Sequence, residues 1–307
     1  MQMSKYVLMR LLQSIVTILL VTAIVFVVIR VIGDPTHLML PPEATTADRE
    51  LLRRTMGLDE PLVIQYLRFL GDLAVGDFGL SYRFNQPAMS VVLERVGHTL
   101  VLTFTALGIA VLIGVPIGVM SAVYRDSWID LTGKLFAIVG QSAPPFFFGV
   151  LMIAFFSVHL GWLPTGGTGG LQYLIMPAIA LGWYSAAGTM RLTRASMSEV
   201  LEAEYIKMAK IKGLPQRVII YKHALRNACL PVITFTALQL GVLLGGAVSV
   251  EAVFAWPGLG FLILKSIEDL DYTIVQAAVT LIALSFAAIN LLVDLLYAWI
   301  DPRIRYD

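Results

Sequence analysis

The sequence contains a single cysteine, Cys229. One thiol cannot form an internal disulfide, and it cannot supply a metal or redox centre that needs several cysteines. A lone free cysteine usually behaves as a small hydrophobic residue. We therefore interpret Cys229 as a packing residue, and we exclude disulfide-stabilised and multi-cysteine redox proteins.

Charged residues are also scarce, at 14% of the chain, whereas an average soluble domain has about 25%. Apolar residues make up 58%, and the mean hydropathy is +0.80. Apolar segments cross membranes as helices because a helix satisfies its own backbone hydrogen bonds inside the lipid. The composition therefore predicts an all-α membrane protein with several spans.

The short motifs of common enzymes are missing. The sequence has no H-E-x-x-H, no G-x-S-x-G and no G-x-x-x-x-G-K-[ST] phosphate-binding loop. Gly133 and Lys134 stand together, but the earlier glycine and the following hydroxyl residue are absent. We expect no catalytic residue, no metal site and no nucleotide bound by this chain alone.

Six apolar segments are long enough to cross the hydrocarbon core, which takes about 20 helical residues. They cover residues 11–29, 99–124, 135–158, 173–189, 229–254 and 274–299. Basic residues gather on the cytoplasmic side of membrane proteins. Here they gather at Lys5, Arg10, Arg125, Lys134, eight positions between 191 and 226, Arg303 and Arg305. This pattern predicts that both termini are cytoplasmic.

The first two apolar segments are separated by a long polar stretch, residues 31–98. Asp48 and Gly57 are typical of the first turn and the end of one short helix, and Pro61 is typical of the start of a second. Residues 71–87 are rich in turn-forming types. We predict a small ordered helical loop on the periplasmic side.

A second polar stretch, residues 196–231, interrupts the apolar C-terminal part of the chain. Ser196 followed by Glu199 resembles a helix-capping box, and Gly213 is placed to end that helix. A second basic amphipathic run covers residues 216–227. The stretch predicts two short helices hinged at Gly213, although any multi-span protein has positively charged cytoplasmic loops.

The residues of this stretch resemble the EAA loop of type I ABC importer permeases, in the variant found in dipeptide and oligopeptide permeases. The resemblance rests on Ala209, Gly213 and the pair Leu230-Pro231, with Lys207 where the general motif has glutamate. It implies a loop over residues 191–228 that couples the permease to an ATPase. The coupling residues it implies are Glu204, Tyr205, Ala209, Lys210, Gly213, Leu214 and Arg217.

Further stretches of the chain are similar to the same family. They are residues 33–35, 161–164, 256–260, 290–297 and 301–303. The resemblance implies a B-type permease with residues 1–98 as the first helix plus periplasmic loop and residues 99–302 as the permease core. It also implies the cytoplasmic membrane of a bacterium.

The resemblance implies partners and an energy source outside this chain. The partners are a homologous C-type permease, two ATPase subunits that bind ATP and Mg²⁺, and a periplasmic or lipid-anchored binding protein, with no nucleic acid. The transported solute is a dipeptide or oligopeptide, glutathione or a nickel chelate. Selectivity in this family lies mainly in the binding protein, so the sequence does not name the solute.

Two other functions are weighed against an ABC permease. A secondary transporter is expected to show inverted repeats and ionisable residues within its spans, and neither is visible in the sequence. A membrane scaffold is the more distant alternative. An ABC permease predicts one large amphipathic cytoplasmic loop on a chain that does not bind nucleotide, and the sequence has both features.

Small residues four positions apart indicate close packing of helices in the membrane. The pairs are Gly114 with Gly118, and Gly241 with Gly245. These glycines serve either a self-contained bundle or contact with a second subunit, and the sequence leaves both open.

Overall fold

The computed structural model describes residues 3–32, 36, 40, 44–55 and 57–300, with side-chain detail except at 3–7, 32, 246 and 294–300. Within these ranges the regular elements are helical, and the pairing of Leu80 with Pro87 is an isolated bridge. The prediction of an all-α chain is therefore confirmed.

The α-helices are numbered in chain order. In chain order they are α1 Met3–Ile32, α2 Thr46–Thr55, α3 Leu62–Val75, α4 Ala88–Val123, α5 Trp128–Ser142, α6 Pro145–Met152, α7 Leu171–Glu202, α8 Glu204–Ile211, α9 Gln216–Val218, α10 Leu225–Val253, α11 Leu259–Glu268 and α12 Tyr272–Ile300. Two π-helical segments continue this order: Ile153–His159 extends α6, and Ile219–Ala224 joins α9 to α10.

The chain forms two compact units. The first contains Met1–His98 and Gly258–Leu291, and the second contains Thr99–Pro257 and Leu292–Ile300. We describe each unit by itself.

In the first unit, aromatic side chains hold α3 against α1. The ring of Phe26 lies 5.2 Å from that of Tyr66 and 5.8 Å from that of Phe69, measured between centroids. The hydroxyls of Thr22 and Tyr66 lie 3.1 Å apart. Because α3, the second short helix of the polar stretch, is fixed on α1 in this way, the stretch has an ordered part.

A turn after α3 is anchored to the start of α12. The carboxylate of Asp271 accepts hydrogen bonds from the hydroxyls of Ser81 and Thr273. Ser81 and Asp271 are both buried. A buried carboxylate needs such donors, so this contact fixes the turn within the first unit.

In the second unit, α7 is the central helix. It packs against α5, α6 and α10 and buries a long run of small residues and methionines between Met176 and Met197. Gly140 and Gly182 allow the close approach: a Cβ at Gly140 would lie 2.7 Å from that of Ala187, and a Cβ at Gly182 would lie 2.7 Å from the carbonyl oxygen of Ala106.

Four helical stretches within the described residues are long and apolar enough to cross a membrane. They are Leu8–Val31, Ala88–Val123, Gln216–Gly245 and Tyr272–Val293. A fifth span is added if α5 and the helical stretch Pro145–His159 cross the membrane together. The two pieces meet at an angle of 100°. The predicted span over residues 135–158 therefore consists of two helical pieces, and the bend between them lies at Pro144 and Pro145.

The fourth predicted span, residues 173–189, forms part of α7, and α7 is not among these apolar stretches. Its C-terminal half carries Arg191, Arg194 and Glu199, which lower its hydropathy. The structure supports four or five spans by length and composition, and six remains a prediction.

Candidate functional site

The site suggested by the sequence begins at a break after α7. Ala203 has an extended backbone, with ψ 146°, between the end of α7 at Glu202 and the start of α8 at Glu204. Ser196 lies inside α7, so the prediction that it caps a new helix is wrong. A serine can cap only where the chain leaves the helix before it, and Met197 is fully buried in an uninterrupted helix.

One face of α8 is anchored in the body of the second unit. Ile206 is 0% exposed and Ala209 is buried. They belong to a hydrophobic cluster with Val119, Ala122, Met197, Ile219, Ala224 and Ala228. This cluster fixes α8 against the ends of α4 and α7 and the start of the π-helical segment before α10.

The opposite face of α8 is apolar and exposed. Tyr205, Met208 and Ile211 are 45%, 53% and 79% exposed, and they recur every three residues along the helix. Residues at this spacing share one side of a helix. A short helix with one buried and one exposed apolar face is suited to dock in a groove of another protein.

Gly213 ends this segment, as predicted. Its φ is +73°, its N–H donates to the carbonyl of Lys210 at 3.0 Å, and the N–H of Leu214 donates to the carbonyl of Ala209 at 3.3 Å. This is a Schellman ending, in which glycine takes the left-handed conformation at no side-chain cost. The sharp turn sends the chain into Pro215 and the next helix.

The basic amphipathic stretch 216–227 was expected to form a second short helix, and this expectation is wrong. The π-helical segment Ile219–Ala224 joins α9 directly to α10, so one helical path runs from Gln216 past Pro231 into the apolar stretch. The amide of Asn227 on this path donates to the Tyr205 hydroxyl at 2.8 Å. The contact ties the exposed face of α8 to a helix long enough to span the membrane.

Two of the remaining predicted site residues line a cleft of about 490 Å³ beside α8. Lys210 and Leu214 line it on one side, and Arg125 and Glu202, which form an ion pair at 3.0 Å, line it on another. Glu204 pairs with Lys207 at 2.7 Å. Arg217 is exposed. The structure thus gathers most of the predicted residues in one region.

A buried carboxylate near this region was missed by the sequence analysis. Asp130, which is 0% exposed, accepts from the Nε and Nη2 of Arg194 at 2.7 and 2.9 Å and from the Nζ of Lys134 at 2.8 Å. It also accepts from the hydroxyl of Ser121. These contacts connect α4, α5 and α7. The local signal was Ser127 three residues before Asp130, a capping pattern, but the partner Arg194 is distant in sequence.

The predicted packing glycines differ in what surrounds them. A Cβ at Gly114 would lie 2.7 Å from the carbonyl oxygen of Ala186, and one at Gly118 would lie 2.6 Å from the Cβ of Thr193. Gly241 is buried, whereas a Cβ at Gly245 would meet nothing within 4 Å. The first pair therefore lies directly against α7.

Metal binding has no support in the described ranges, where no three His, Cys, Asp or Glu side chains come together as ligands. The second unit does offer an exposed apolar face on α8 and an ionic network centred on Asp130.

Comparison with known proteins assigns the chain to a family. The family model described as "Binding-prot-dependent transport system membrane comp, N-term" matches residues 3–103, and the one described as "Binding-protein-dependent transport system inner membrane component" matches residues 114–306. The two matches cover most of the sequence.

Curated relatives match along the whole chain. The glutathione transport system permease protein GsiC of Escherichia coli strain K12 is 44% identical over 305 residues, which cover 99% of this chain and 100% of that protein. GsiC of Shigella flexneri serotype 5b is 43% identical over the same coverage.

Two solved transporters share the fold. An amino acid ABC transporter crystallised with histidines has a TM-score of 0.54 at 18% identity, covering 67% of this chain and 92% of its own. The methionine ABC transporter MetNI in inward-facing conformations has a TM-score of 0.54 at 23% identity, covering 69% and 97%. The family implies ATPase and substrate-binding partners and the inner membrane of bacteria. The chain belongs to the binding-protein-dependent transport system inner membrane components and is a permease of an ABC importer.

Proposed function

We propose that this chain is the B-type permease subunit of an importer that carries short peptides, and that α8 and the turn at Gly213 form its contact with an ATPase subunit. The full-length similarity to glutathione permeases supports a peptide solute, because glutathione is itself a tripeptide. A nickel chelate is the alternative solute.

One observation carries the assignment of the contact: α8 buries Ile206 and Ala209 while it exposes Tyr205, Met208 and Ile211. Monomeric proteins rarely leave a contiguous apolar face in water without a partner. An ATPase groove that covers this face would move α8, and the buried cluster would pass the movement to α4 and α7.

The proposal assigns the chemistry to other subunits. Two ATPase subunits bind ATP and Mg²⁺ and hydrolyse the nucleotide, and this chain has no catalytic site. A homologous C-type permease completes the pathway, and a periplasmic or lipid-anchored binding protein delivers the solute.

The proposed topology has six spans, with α7 as the fourth and both termini in the cytoplasm. Single cysteines introduced by Val75→Cys and Gln216→Cys in a Cys229→Ser chain test it. We expect an impermeant thiol reagent added outside spheroplasts to label position 75 and to leave position 216 unlabelled. Labelling of both from outside contradicts the topology.

The function itself is tested in proteoliposomes that contain the two permeases and two ATPases. We expect uptake of a radiolabelled tripeptide that requires ATP inside and binding protein outside, and that unlabelled glutathione reduces. Uptake that needs no ATPase subunit and follows an ion gradient contradicts the proposal and favours a secondary transporter. Uptake of a nickel chelate but no peptide selects the alternative solute.

A further inference from the structure

A polar cleft of about 300 Å³ lies in the first unit. We call it the Arg30 cleft. It is lined by Arg30 of α1, Gln65 and Asp72 of α3, Phe78 and Tyr82 of the turn that follows, and Gln276 of α12. Its lining holds charges of both signs, neutral hydrogen-bonding groups and an aromatic surface, which is a mixed chemistry that an ordinary packing defect lacks.

Arg30 is held in one orientation at one end of the cleft. Its Nε donates to the Oε1 of Gln65 at 2.8 Å, its Nη1 faces the carbonyl of Phe26 at 3.3 Å, and its guanidinium carbon lies 3.4 Å from the centroid of the Phe26 ring. Among the described residues Nη2 has no partner. Nη1 is used in the bond to the Phe26 carbonyl, so an incoming carboxylate would bind at Nη2.

Gln65 acts as the support for that arginine. It is buried, and its Nε2 donates to the carbonyls of Glu60 at 2.7 Å and Leu58 at 3.1 Å. Both ends of its amide are therefore in use. Arg68 also lines the cleft, but Glu60 holds its guanidinium at 2.8 Å. Arg30 is the better candidate for an incoming anion.

The opposite charge lies further along α3. Asp72 follows Gln65 by seven residues, two helical turns, so it shares the same face about 10 Å along the axis. Its carboxylate is exposed and has no ion pair among the described residues. Asp77 lies nearby in the cleft, where it accepts from the N–H of Gly79 at 2.8 Å. This end of the cleft attracts a cation.

The middle of the cleft offers neutral partners. Burial raises the pKa of Tyr82 to about 12, so its hydroxyl stays protonated at neutral pH. The Gln276 side chain supplies an amide, and Phe78 supplies an apolar surface. Peptide groups need such hydrogen-bond donors and acceptors between their charged ends.

We propose that the Arg30 cleft binds a free peptide of two or three residues, with its terminal carboxylate on Arg30 and its ammonium group at Asp72. Gln65, which holds Arg30, and Asp72 lie about 10 Å apart along α3, and the ends of an extended dipeptide lie about 7 Å apart and those of a tripeptide about 10 Å. A free amino acid carries both charges on one carbon and cannot reach both ends. The inference rests on the proposed function, because it gives an importer permease its own contact with the peptide.

The test is equilibrium binding of a tritiated tripeptide to the intact importer in nanodiscs, with the binding protein left out. We expect saturable binding that weakens about tenfold in Arg30→Gln and in Asp72→Asn. The same tripeptide with a C-terminal amide should bind weakly, and Arg30→Gln should not weaken it further. Arg53→Gln, an exposed arginine of α2 that pairs with Asp59, is the matched control and should bind as the unaltered importer does.

Asp72→Asn keeps the test decisive if Arg30→Gln does not fold, because the Asp72 side chain is exposed. Tripeptide binding that is absent, or that neither variant changes, overturns the inference. Loss of binding-protein docking in Arg30→Gln without any peptide binding also overturns it and identifies the cleft as a protein contact. The proposed function is tested separately, by measuring ATP-driven peptide uptake by the unaltered importer.

Discussion

The hydroxyl of Tyr205 accepts a hydrogen bond from the side-chain amide of Asn227, with 2.8 Å between oxygen and nitrogen. Asn227 also donates to the carbonyl of His223, one turn earlier. A residue on the exposed face of α8 is therefore linked to the first turn of α10. If an ATPase docks on this face, as we propose, the link is a direct path from it to a helix long enough to span the membrane.

Asn227→Ala should loosen that link with little effect on folding, because a hydrogen bond at a partly exposed site stabilises by about 1 kcal/mol at most. We expect normal amounts of protein in the membrane and reduced stimulation of ATP hydrolysis by the loaded binding protein. Tyr205→Phe should have the same effect, and the double variant should be no worse than either single one. Additive losses show that the two residues act independently and contradict the link.

Asp130→Asn should destabilise the second unit strongly. The change leaves Arg194 and Lys134 without their shared carboxylate at a site where Asp130 is 0% exposed, and breaking a buried ion pair costs about 3 kcal/mol or more. Thermal denaturation of the purified chain in one detergent measures the effect. The control is Arg125→Gln, which breaks the exposed pair with Glu202 and should cost less than about 1 kcal/mol. Equal melting temperatures for the two variants count against a structural role for Asp130.

Gly213→Val should uncouple transport. At φ +73° a β-branched residue is strained by about 1 kcal/mol or more, whereas a Cβ there would meet no neighbouring atom within 4 Å. The strain distorts the turn and spares the spans, so insertion should be normal while uptake falls. Gly213→Asn is the matched control, because asparagine tolerates the left-handed conformation, and it should retain most of the activity. Full uptake by the valine variant removes the turn from the mechanism.

Gly118→Ala should separate α4 from α7. Its new Cβ would lie 2.6 Å from the Cβ of Thr193 and 2.7 Å from the carbonyl oxygen of Met190, and overpacking of this kind costs about 1–3 kcal/mol. Gly245→Ala is the control in the isolated chain, because its surroundings are open. We expect a lower melting temperature for the first variant only. A fall of the same size in both refutes the direct packing of Gly118 on α7.

Local features of the fold could be predicted from the sequence. Gly57 and Gly213 end their helices where the pattern places them, because a helix ending with a left-handed residue depends on a few neighbouring residues. The break between α5 and α6 also has a local cause, because Pro144 and Pro145 lie there and proline cannot continue a helix from the previous turn. The 100° angle at that break depends on packing and was not visible in the sequence.

Features that depend on distant contacts could not be predicted. Ser196 has the residue type and spacing of a cap, but burial of Met197 keeps the helix continuous through it. Asp130 and Arg194 are 64 residues apart, and Arg30 and Gln65 are 35 apart. Nothing in the sequence pairs these side chains until the helices are packed. The exposure of one face of α8 could not be predicted either, because it depends on which side of the helix packs against the hydrophobic cluster that contains Ile206.

Cross-linking from the exposed face of α8 is the sharpest test of the proposed contact between this face and an ATPase subunit. The chain carries Met208→Cys with Cys229→Ser and a photoreactive benzophenone on the new thiol, in an assembled importer that hydrolyses ATP. Leu51→Cys on α2, also well exposed, is the matched control. We expect a cross-link to an ATPase subunit from position 208 and none from position 51. An active importer with no ATPase cross-link from position 208 contradicts the proposed contact.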